Sequence, residues 1–371
     1  MRPDRRDFLA TATLVVLGAR RAVAVDGKNL QPVVNAAYDF LKGKQKDDGS
    51  FGEPRAGEPG LTALTAAALV RCGKPSTDPV IAKALGFLEK TTKPDGGVYL
   101  QGLANYTTSL AVMTFKEANA GKKYDAAIAA GTKFLRGLQY GDDVGDKDAR
   151  FGGAGYGKKT ERGGGADTSN THFFVEALLA GGATKDDPAV KQALAFLGRS
   201  QNLPGESNDL EYAKKVADDD KGGFVYNTAD AKDEKSKKRT SEGGLRSEGG
   251  MTYAGLKSFL YAGVSKDDPR VKAAIDWIRR HYTLKENPGM GTTGLYYYYH
   301  VFAKAMDALG EEEFADSKGV KHPWRQELFG VLKASQKNDG SWANANGAFL
   351  ENLPQLATAF ALLALSYCKK A

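Results

Sequence analysis

The polar residues that could do acid–base chemistry are concentrated in one short stretch, between positions 167 and 176. Asp167 and His172 could carry or pass a proton, and Glu176 follows His172 by four residues, which places both on one face of a helix. Asn170 could hold a ligand beside them. Buried polar groups are costly unless each has a partner or a purpose. Asp167, His172 and Glu176 are therefore candidate catalytic residues, and Asn170 is a candidate ligand-binding residue.

Two later stretches place a lysine four residues after a tyrosine or a histidine. Tyr253 precedes Lys257, and His300 precedes Lys304. Such groups could form ion pairs between neighbouring helices, for example from Glu176 to Lys257, or they could line a ligand cavity. The sequence leaves both explanations open.

Four consecutive tyrosines, residues 296–299, stand directly before His300. On a helix they point in different directions, so about half could face a cavity while the others pack between layers. Aromatic walls suit an isoprenoid chain or the face of a sugar. Tyr253, Tyr297 and His300 join Asn170 as candidate ligand-binding residues. The chain offers too few clustered ligands for a metal site, and none is predicted.

The chain repeats one pattern six times. Each unit has an amphipathic helix that ends in a pair of large apolar residues, then a Gly-rich turn and an apolar helix with many small residues. In four units a glutamine follows four residues after the pair. These are Gln45, Gln139, Gln201 and Gln336, whereas Thr92 and Tyr282 occupy the position in the other two units.

The two helices of each unit predict the architecture. The first carries charge on one face and belongs on the surface, whereas the second, such as 61–69 or 358–365, is apolar all round and must be buried. We therefore predict an all-α, (α/α)6 toroid of six helix pairs with inner and outer rings, as a single domain over residues 28–370. Cys72 and Cys368 end the first and last inner helices, where a disulfide is conceivable but two free thiols are expected.

The N-terminal segment 1–24 has the features of an export signal. Arg5-Arg6 precedes a short apolar stretch, and Ala22-Val23-Ala24 supplies the small residues of a cleavage site. We predict a twin-arginine signal peptide and an exported, extracytoplasmic protein. The mature chain has no apolar run long enough to cross a membrane.

With these repeats, the sequence resembles the terpenoid cyclases and the β subunits of protein prenyltransferases. The segments 45–51 and 336–342, each Gln-x-x-Asp-Gly-Ser followed by Phe or Trp, resemble the QW repeats of squalene-hopene cyclases. The resemblance implies the toroid fold and a bracing role for the repeated glutamine and aromatic residues.

The resemblance also shows what is missing. Class II cyclases protonate an alkene with the middle Asp of a D-x-D-D-T motif, whereas this chain has Ser169 at that position and Asn170 after it, within 167–171. A serine hydroxyl is too weak an acid for that step. Prenyltransferases use an Asp-x-Cys zinc ligand pair, but neither Cys72 nor Cys368 has such an Asp. No cofactor is predicted.

Three functions remain open. The first is binding of an apolar or isoprenoid-like ligand in the toroid without class II cyclisation. The second is a carbohydrate-active hydrolase or lyase, with Asp167 and either Glu176 or Glu248 as acid and base. The third is a non-catalytic scaffold for a protein partner. The net charge of +7 lies partly in the N-terminal segment and is otherwise dispersed, so a nucleic-acid partner is not expected. The charged insertion 204–250 is expected to be a solvated loop or a lid.

Overall fold

The computed structural model describes residues 25–52, 57–160 and 165–369. The predicted signal peptide, 1–24, lies outside the described residues. The main helices are α1 (Gly27–Lys42), α2 (Glu58–Arg71), α3 (Pro79–Thr91), α4 (Ala104–Glu117), α5 (Asp125–Arg136), α6 (Thr168–Ala180), α7 (Pro188–Arg199), α8 (Glu211–Lys214), α9 (Gly249–Tyr261), α10 (Pro269–His281), α11 (Leu295–Leu309), α12 (Trp324–Ser335) and α13 (Pro354–Ser366). Short 3-10 helices (Ala120–Lys122, Thr228–Lys232, Ala348–Leu350) and one antiparallel pair, β1 (Phe314–Ala315) and β2 (Lys321–His322), lie in the connections.

Six helices close into an inner ring. Helix α2 packs on α4, α4 on α6, α6 on α9, α9 on α11, α11 on α13, and α13 back on α2. The alternate helices α1, α3, α5, α7, α10 and α12 lie outside this ring. The all-α toroid of six helix pairs is therefore confirmed. No helix among the described residues is both long enough and apolar enough to span a bilayer.

Asp-Pro pairs start three of the outer helices. The carboxylates of Asp78, Asp187 and Asp268 accept the backbone N–H two residues later, which satisfies a donor that has no partner within the helix. The proline that follows each aspartate has the backbone angle that a first helical residue needs. These short signals fix where the outer helices begin.

The four repeated glutamines brace one outer helix against the next. Each donates to the glycine carbonyl of its own turn and to a carbonyl near the start of the following outer helix. Gln336 closes the circle, because it donates to Gly340 O at 3.0 Å and to Val33 O of α1 at 2.9 Å. The other three bond in the same way, Gln45 to Gly49 and Val80, Gln139 to Gly152 and Ala189, and Gln201 to Gly222 and Arg270.

The turn glycines lie against the next outer helix. Gly152 has φ +84°, and a Cβ there would lie 1.9 Å from the carbonyl oxygen of Gln192. Only glycine fits both the backbone angle and the close approach. Trp342, taken as structural from the sequence, is fully buried and donates its indole N–H to Leu332 O at 2.8 Å.

A second set of braces joins each turn to its inner helix. In five repeats a threonine hydroxyl near the start of the inner helix accepts the backbone N–H of the residue that follows the turn, at 2.9–3.0 Å. The five acceptors are Thr62, Thr108, Thr171, Thr252 and Thr358. None of these five threonines was predicted from the sequence to act as a brace.

The charged insertion is more ordered than the sequence suggested. Tyr212, Ala213, Val225 and Leu245 form a small buried cluster within it, and its Lys238 pairs with Glu248 at the start of α9 at 2.6 Å. Part of the insertion is therefore packed onto one end of the ring, whereas most of its charged run, 232–242, is exposed to solvent. Both cysteines are free.

We predict that Thr62→Val lowers the free energy of unfolding by about 1–3 kcal/mol, because it leaves the buried N–H of Phe51 without an acceptor. Urea unfolding measures the change. Thr65→Val is the matched control on the same helix: its hydroxyl is buried without a hydrogen-bond partner, so its loss should be neutral or stabilising. Equal effects of the two substitutions would contradict the bracing role.

Candidate functional site

The space inside the inner ring is divided into two chambers. The upper chamber, of about 320 Å³, lies at the N-terminal ends of the inner helices. The lower chamber, of about 310 Å³, lies at their C-terminal ends. Phe173 lines both chambers and stands between them. Both volumes are in the range of small-molecule sites, roughly 300–1,000 Å³.

One stripe of each inner helix faces the space inside the ring. On α6 the lining residues are Ser169 and Phe173 above, then Glu176 and Ala180 below. Spacings of three and four residues keep such side chains on one face of a helix. The stripe therefore runs from one chamber to the other along a single helix.

Aromatic side chains line much of the upper chamber. The Tyr226 and Tyr156 hydroxyls lie 3.4 Å apart, and the ring of Tyr106 contacts that of Phe173 edge-on at 5.5 Å. The Tyr297 ring continues the wall towards Phe360, at 5.8 Å. The remaining wall is mostly aliphatic, with Leu61, Leu103, Met251, Met290, Leu353 and Leu356. Among these residues, only Tyr297 was predicted from the sequence to bind a ligand.

Three glutamates near the mouth of the upper chamber already have partners. Glu58 pairs with Lys46 at 2.6 Å, and Glu248 pairs with Lys238. Glu351 accepts the N–H groups of Tyr296 and Tyr297 at the start of α11, at 3.2 and 2.8 Å. These carboxylates hold helix ends and loops together, which leaves the chamber interior largely apolar.

A chain of polar contacts crosses the layer between the chambers. Ser169 Oγ lies 3.3 Å from Tyr297 Oη, and Tyr297 Oη lies 2.7 Å from His172 Nε2. His172 Nδ1 is 3.2 Å from Lys257 Nζ. Lys257 in turn pairs with Glu176, as the sequence had suggested, and Lys304 holds the other oxygen of Glu176 at 2.7 Å.

The hydrogen bonds between these polar groups all run in one direction, from Lys257 towards Ser169. The Lys257 ammonium group can only donate, so His172 accepts at Nδ1 and carries its proton on Nε2. His172 Nε2–H then donates to Tyr297, and the Tyr297 hydroxyl can donate to Ser169. The hydroxyl of Ser169 is left to donate into the upper chamber.

Burial and neighbouring charges shift the pKa values of the groups in this hydrogen-bonded series. Burial holds the pKa of His172 well below its usual range, and Lys257 adds to the effect. Burial lowers the pKa of Lys257 to about 8, so this lysine is charged at neutral pH. Burial acts to raise the pKa of Glu176, but Lys257 and Lys304 outweigh it and hold that pKa well below its usual range.

Asp167 and Asn170 lie behind the chamber wall. Asp167 caps α6, where its carboxylate accepts the Asn170 N–H at 2.8 Å and the Asn170 amide at 2.8 and 3.1 Å. Both side chains are buried and neither lines a chamber. Burial raises the pKa of Asp167 to about 7, despite these hydrogen bonds.

The other candidates are distributed over different parts of the structure. Tyr253, a candidate ligand-binding residue, is buried in the core instead, edge-on to Tyr298 and Phe302 at 5.6 and 5.0 Å. His300 lines the lower chamber. Tyr298 and Tyr299 donate to loop carbonyls. Of the four consecutive tyrosines, Tyr297 alone lines either chamber.

The carbohydrate hypothesis required two carboxyl groups across one glycosidic bond. Asp167 and Glu176 are nine positions apart along α6, which corresponds to about 13 Å of helix rise, more than the roughly 5–9.5 Å between glycosidase carboxyl groups. Glu176 is also held by two lysines in the other chamber. Asp167 and Glu176 therefore do not form such a pair. The described residues include no group of three or more His, Cys, Asp or Glu placed to share a metal ion.

We predict that Asp167→Asn changes the pH dependence of stability. Because the folded pKa is about 7 and the ordinary value is 3.8, the stabilisation from protonated Asp167 is full below pH 4 and is lost as the pH rises through 7. The unfolding free energy of the wild type should fall relative to the variant by up to about 1.4 kcal/mol per pH unit in that window. Urea unfolding from pH 4 to 8 measures it, and a constant difference would contradict the shifted pKa.

Comparison with known proteins agrees with the fold. Residues 55–216 match the squalene-hopene cyclase C-terminal domain. A protein from Actinoplanes is similar in structure, with 16% identity, a TM-score of 0.57, and coverage of 91% of this chain and 99% of that one. Among curated proteins none matches the chain significantly.

Two enzymes of different chemistry share the architecture. The type II terpene cyclase MstE from Scytonema has 14% identity, a TM-score of 0.51, and coverage of 92% and 98% of the two chains. A β-1,3-1,4-glucanase from Paenibacillus sp. X4 has 11% identity, a TM-score of 0.50, and coverage of 92% and 93%. At these identities the likeness shows the fold alone. The chain therefore has the all-α toroid fold that these proteins share, and its residues 55–216 are similar to the C-terminal domain of squalene-hopene cyclases.

Proposed function

We propose that this protein binds an apolar, isoprenoid-like molecule in the upper chamber and does not start class II cyclisation. The observation that carries the proposal is the chamber itself, which is lined mainly by aromatic and aliphatic side chains and whose glutamates are already paired. An MstE variant is known in complex with its substrate, geranylgeranyl dihydroxybenzoate. That ligand has the chemical class that the apolar wall favours.

The absence of cyclisation rests on Ser169. It is the only residue of the segment 167–170 that lines the upper chamber. By the resemblance to the D-x-D-D-T motif, its hydroxyl stands at the position of the cyclase acid. Asp167 is turned to the N-terminus of α6 and is engaged by Asn170. No carboxyl group of this segment therefore faces a ligand.

The polar chain behind Ser169 suggests one further feature of the ligand. The hydroxyl of Ser169 is available as a donor, because Tyr297 and His172 supply donors from behind it. An oxygen atom at one end of the ligand, as in an isoprenoid alcohol, would accept that hydrogen bond. The proposed ligand is thus an apolar chain with one oxygen-bearing end.

Native mass spectrometry of the protein purified from the cells that make it, followed by lipid extraction, tests the proposal. We expect a co-purifying polyprenyl lipid, and its repeated absence would count against the proposal. Incubation with squalene tests the chemistry, where we expect no product beyond that of a heat-inactivated control. A cyclised product would show that an acid other than residue 169 acts in the chamber.

We predict that Ser169→Ala weakens binding of farnesol about 5-fold and leaves binding of the hydrocarbon farnesene unchanged. The loss corresponds to one hydrogen bond of about 1 kcal/mol. Displacement of a fluorescent lipid measures both affinities. Equal loss for the alcohol and the hydrocarbon would contradict a donor role for Ser169.

Two chamber-filling variants serve as controls. Leu61→Trp fills part of the upper chamber and should weaken both ligands at least 10-fold, whereas Met113→Trp fills part of the lower chamber and should weaken neither. If Met113→Trp weakened binding more than Leu61→Trp, the ligand would lie in the lower chamber, which would contradict the proposal.

We further propose that the chain is exported through the twin-arginine pathway, because Arg5-Arg6 precedes an apolar stretch and a small-residue cleavage site. Replacing both arginines by lysine should retain the uncleaved precursor in the cytoplasm, as measured by cell fractionation. Unchanged export of that variant would contradict the proposal.

A further inference from the structure

The lower chamber has a different chemistry from the upper one. Its walls include aliphatic side chains, but its deep end holds Glu176, His300 and Lys304. Arg71 lines its wall nearer the solvent and pairs with Glu117 at 2.6 Å. The aliphatic residues are Leu64, Leu110, Leu179 and Leu363.

The charges at the deep end do not balance. Lys257 and Lys304 share a single carboxylate, Glu176, and neither ammonium group has a second acidic partner among the ion pairs of the described residues. Lys257 is fully buried and Lys304 is 12% exposed. Burying a net positive charge is costly unless a counter-charge accompanies it.

His300 is an unused polar group at the same place. Its side chain lines the chamber and is 3% exposed, yet Nδ1 is buried without a hydrogen-bond partner among the described residues. It precedes Lys304 by four residues on α11, so the two side chains lie on one face of the helix. Buried ring nitrogens normally have partners, so this one points to a missing ligand.

We propose that the lower chamber binds a small oxyanion, a carboxylate or a phosphate group, beside Lys304 and His300. Lys304 supplies the charge that Glu176 leaves uncompensated, and His300 supplies a neutral N–H donor. The aliphatic wall would contact the organic part of a ligand that carries such a group. This site is separate from the upper chamber and does not depend on the function proposed for it.

Titration of the full-length protein with inorganic phosphate and with butyrate at pH 6.5, followed by calorimetry and by ¹⁵N NMR of labelled histidine, tests the site. We expect at least one of the two anions to bind and to shift the ring-nitrogen signals of His300. Binding of only one supports the site and identifies its head group. Binding of neither, or binding without a change at His300, overturns it.

Lys304→Met is the decisive variant. It removes the excess charge and leaves Glu176 paired with Lys257, so we expect a folded protein whose anion affinity is at least 10-fold weaker. Lys90→Met, at an exposed position on α3, is the matched control and should bind like the wild type. Equal affinity in the Lys304→Met protein overturns the proposal. If the Lys304→Met protein does not fold, the shift of the His300 ring-nitrogen signals in the wild-type protein still tests the site.

Discussion

Closure of the inner ring is the constraint on which the rest of the structure depends. Six helices in a closed circle leave a central space about as wide as one more helix, roughly 10 Å with side chains. That space must be filled by side chains, by water or by a ligand. Here a layer around Phe173 fills the middle and leaves a chamber at each end. The glutamine braces of four repeats and the threonine braces of five tie the turns to their neighbours and help to keep the ring closed.

The middle layer gives the two chambers different chemistry. On the upper side it presents the rings of Phe173 and Tyr297 and the hydroxyl of Ser169. On the lower side it presents Glu176 and Lys304. The polar groups in between need one another, because each would be costly if buried alone. The ion pairs of Glu176 with Lys257 and Lys304 therefore lie between the apolar upper chamber and the charged lower chamber.

The sequence predicted the architecture well because the repeats are visible in it. Helix pairs, turns and the bracing glutamines recur at readable spacings. The pair of Glu176 with Lys257 was one of the two explanations that the sequence left open for these charges. The chamber walls were harder to predict. Inner helices are apolar on every side, so periodicity does not reveal which stripe faces the centre, and Tyr253 was assigned to a cavity although it packs in the core. Tyr156 and Tyr226 come from loops, whose course has no periodic signal.

We propose the upper chamber as the apolar binding site, separate from the lower one. Anomalous diffraction from crystals soaked with 1-bromododecane tests this proposal most directly, because the bromine atom marks the position of the bound alkyl chain. We expect bromine peaks in the upper chamber, near Leu61, Met251 and Leu356. Ordered bromine in the lower chamber beside Lys304, or only on the outer surface, would contradict it.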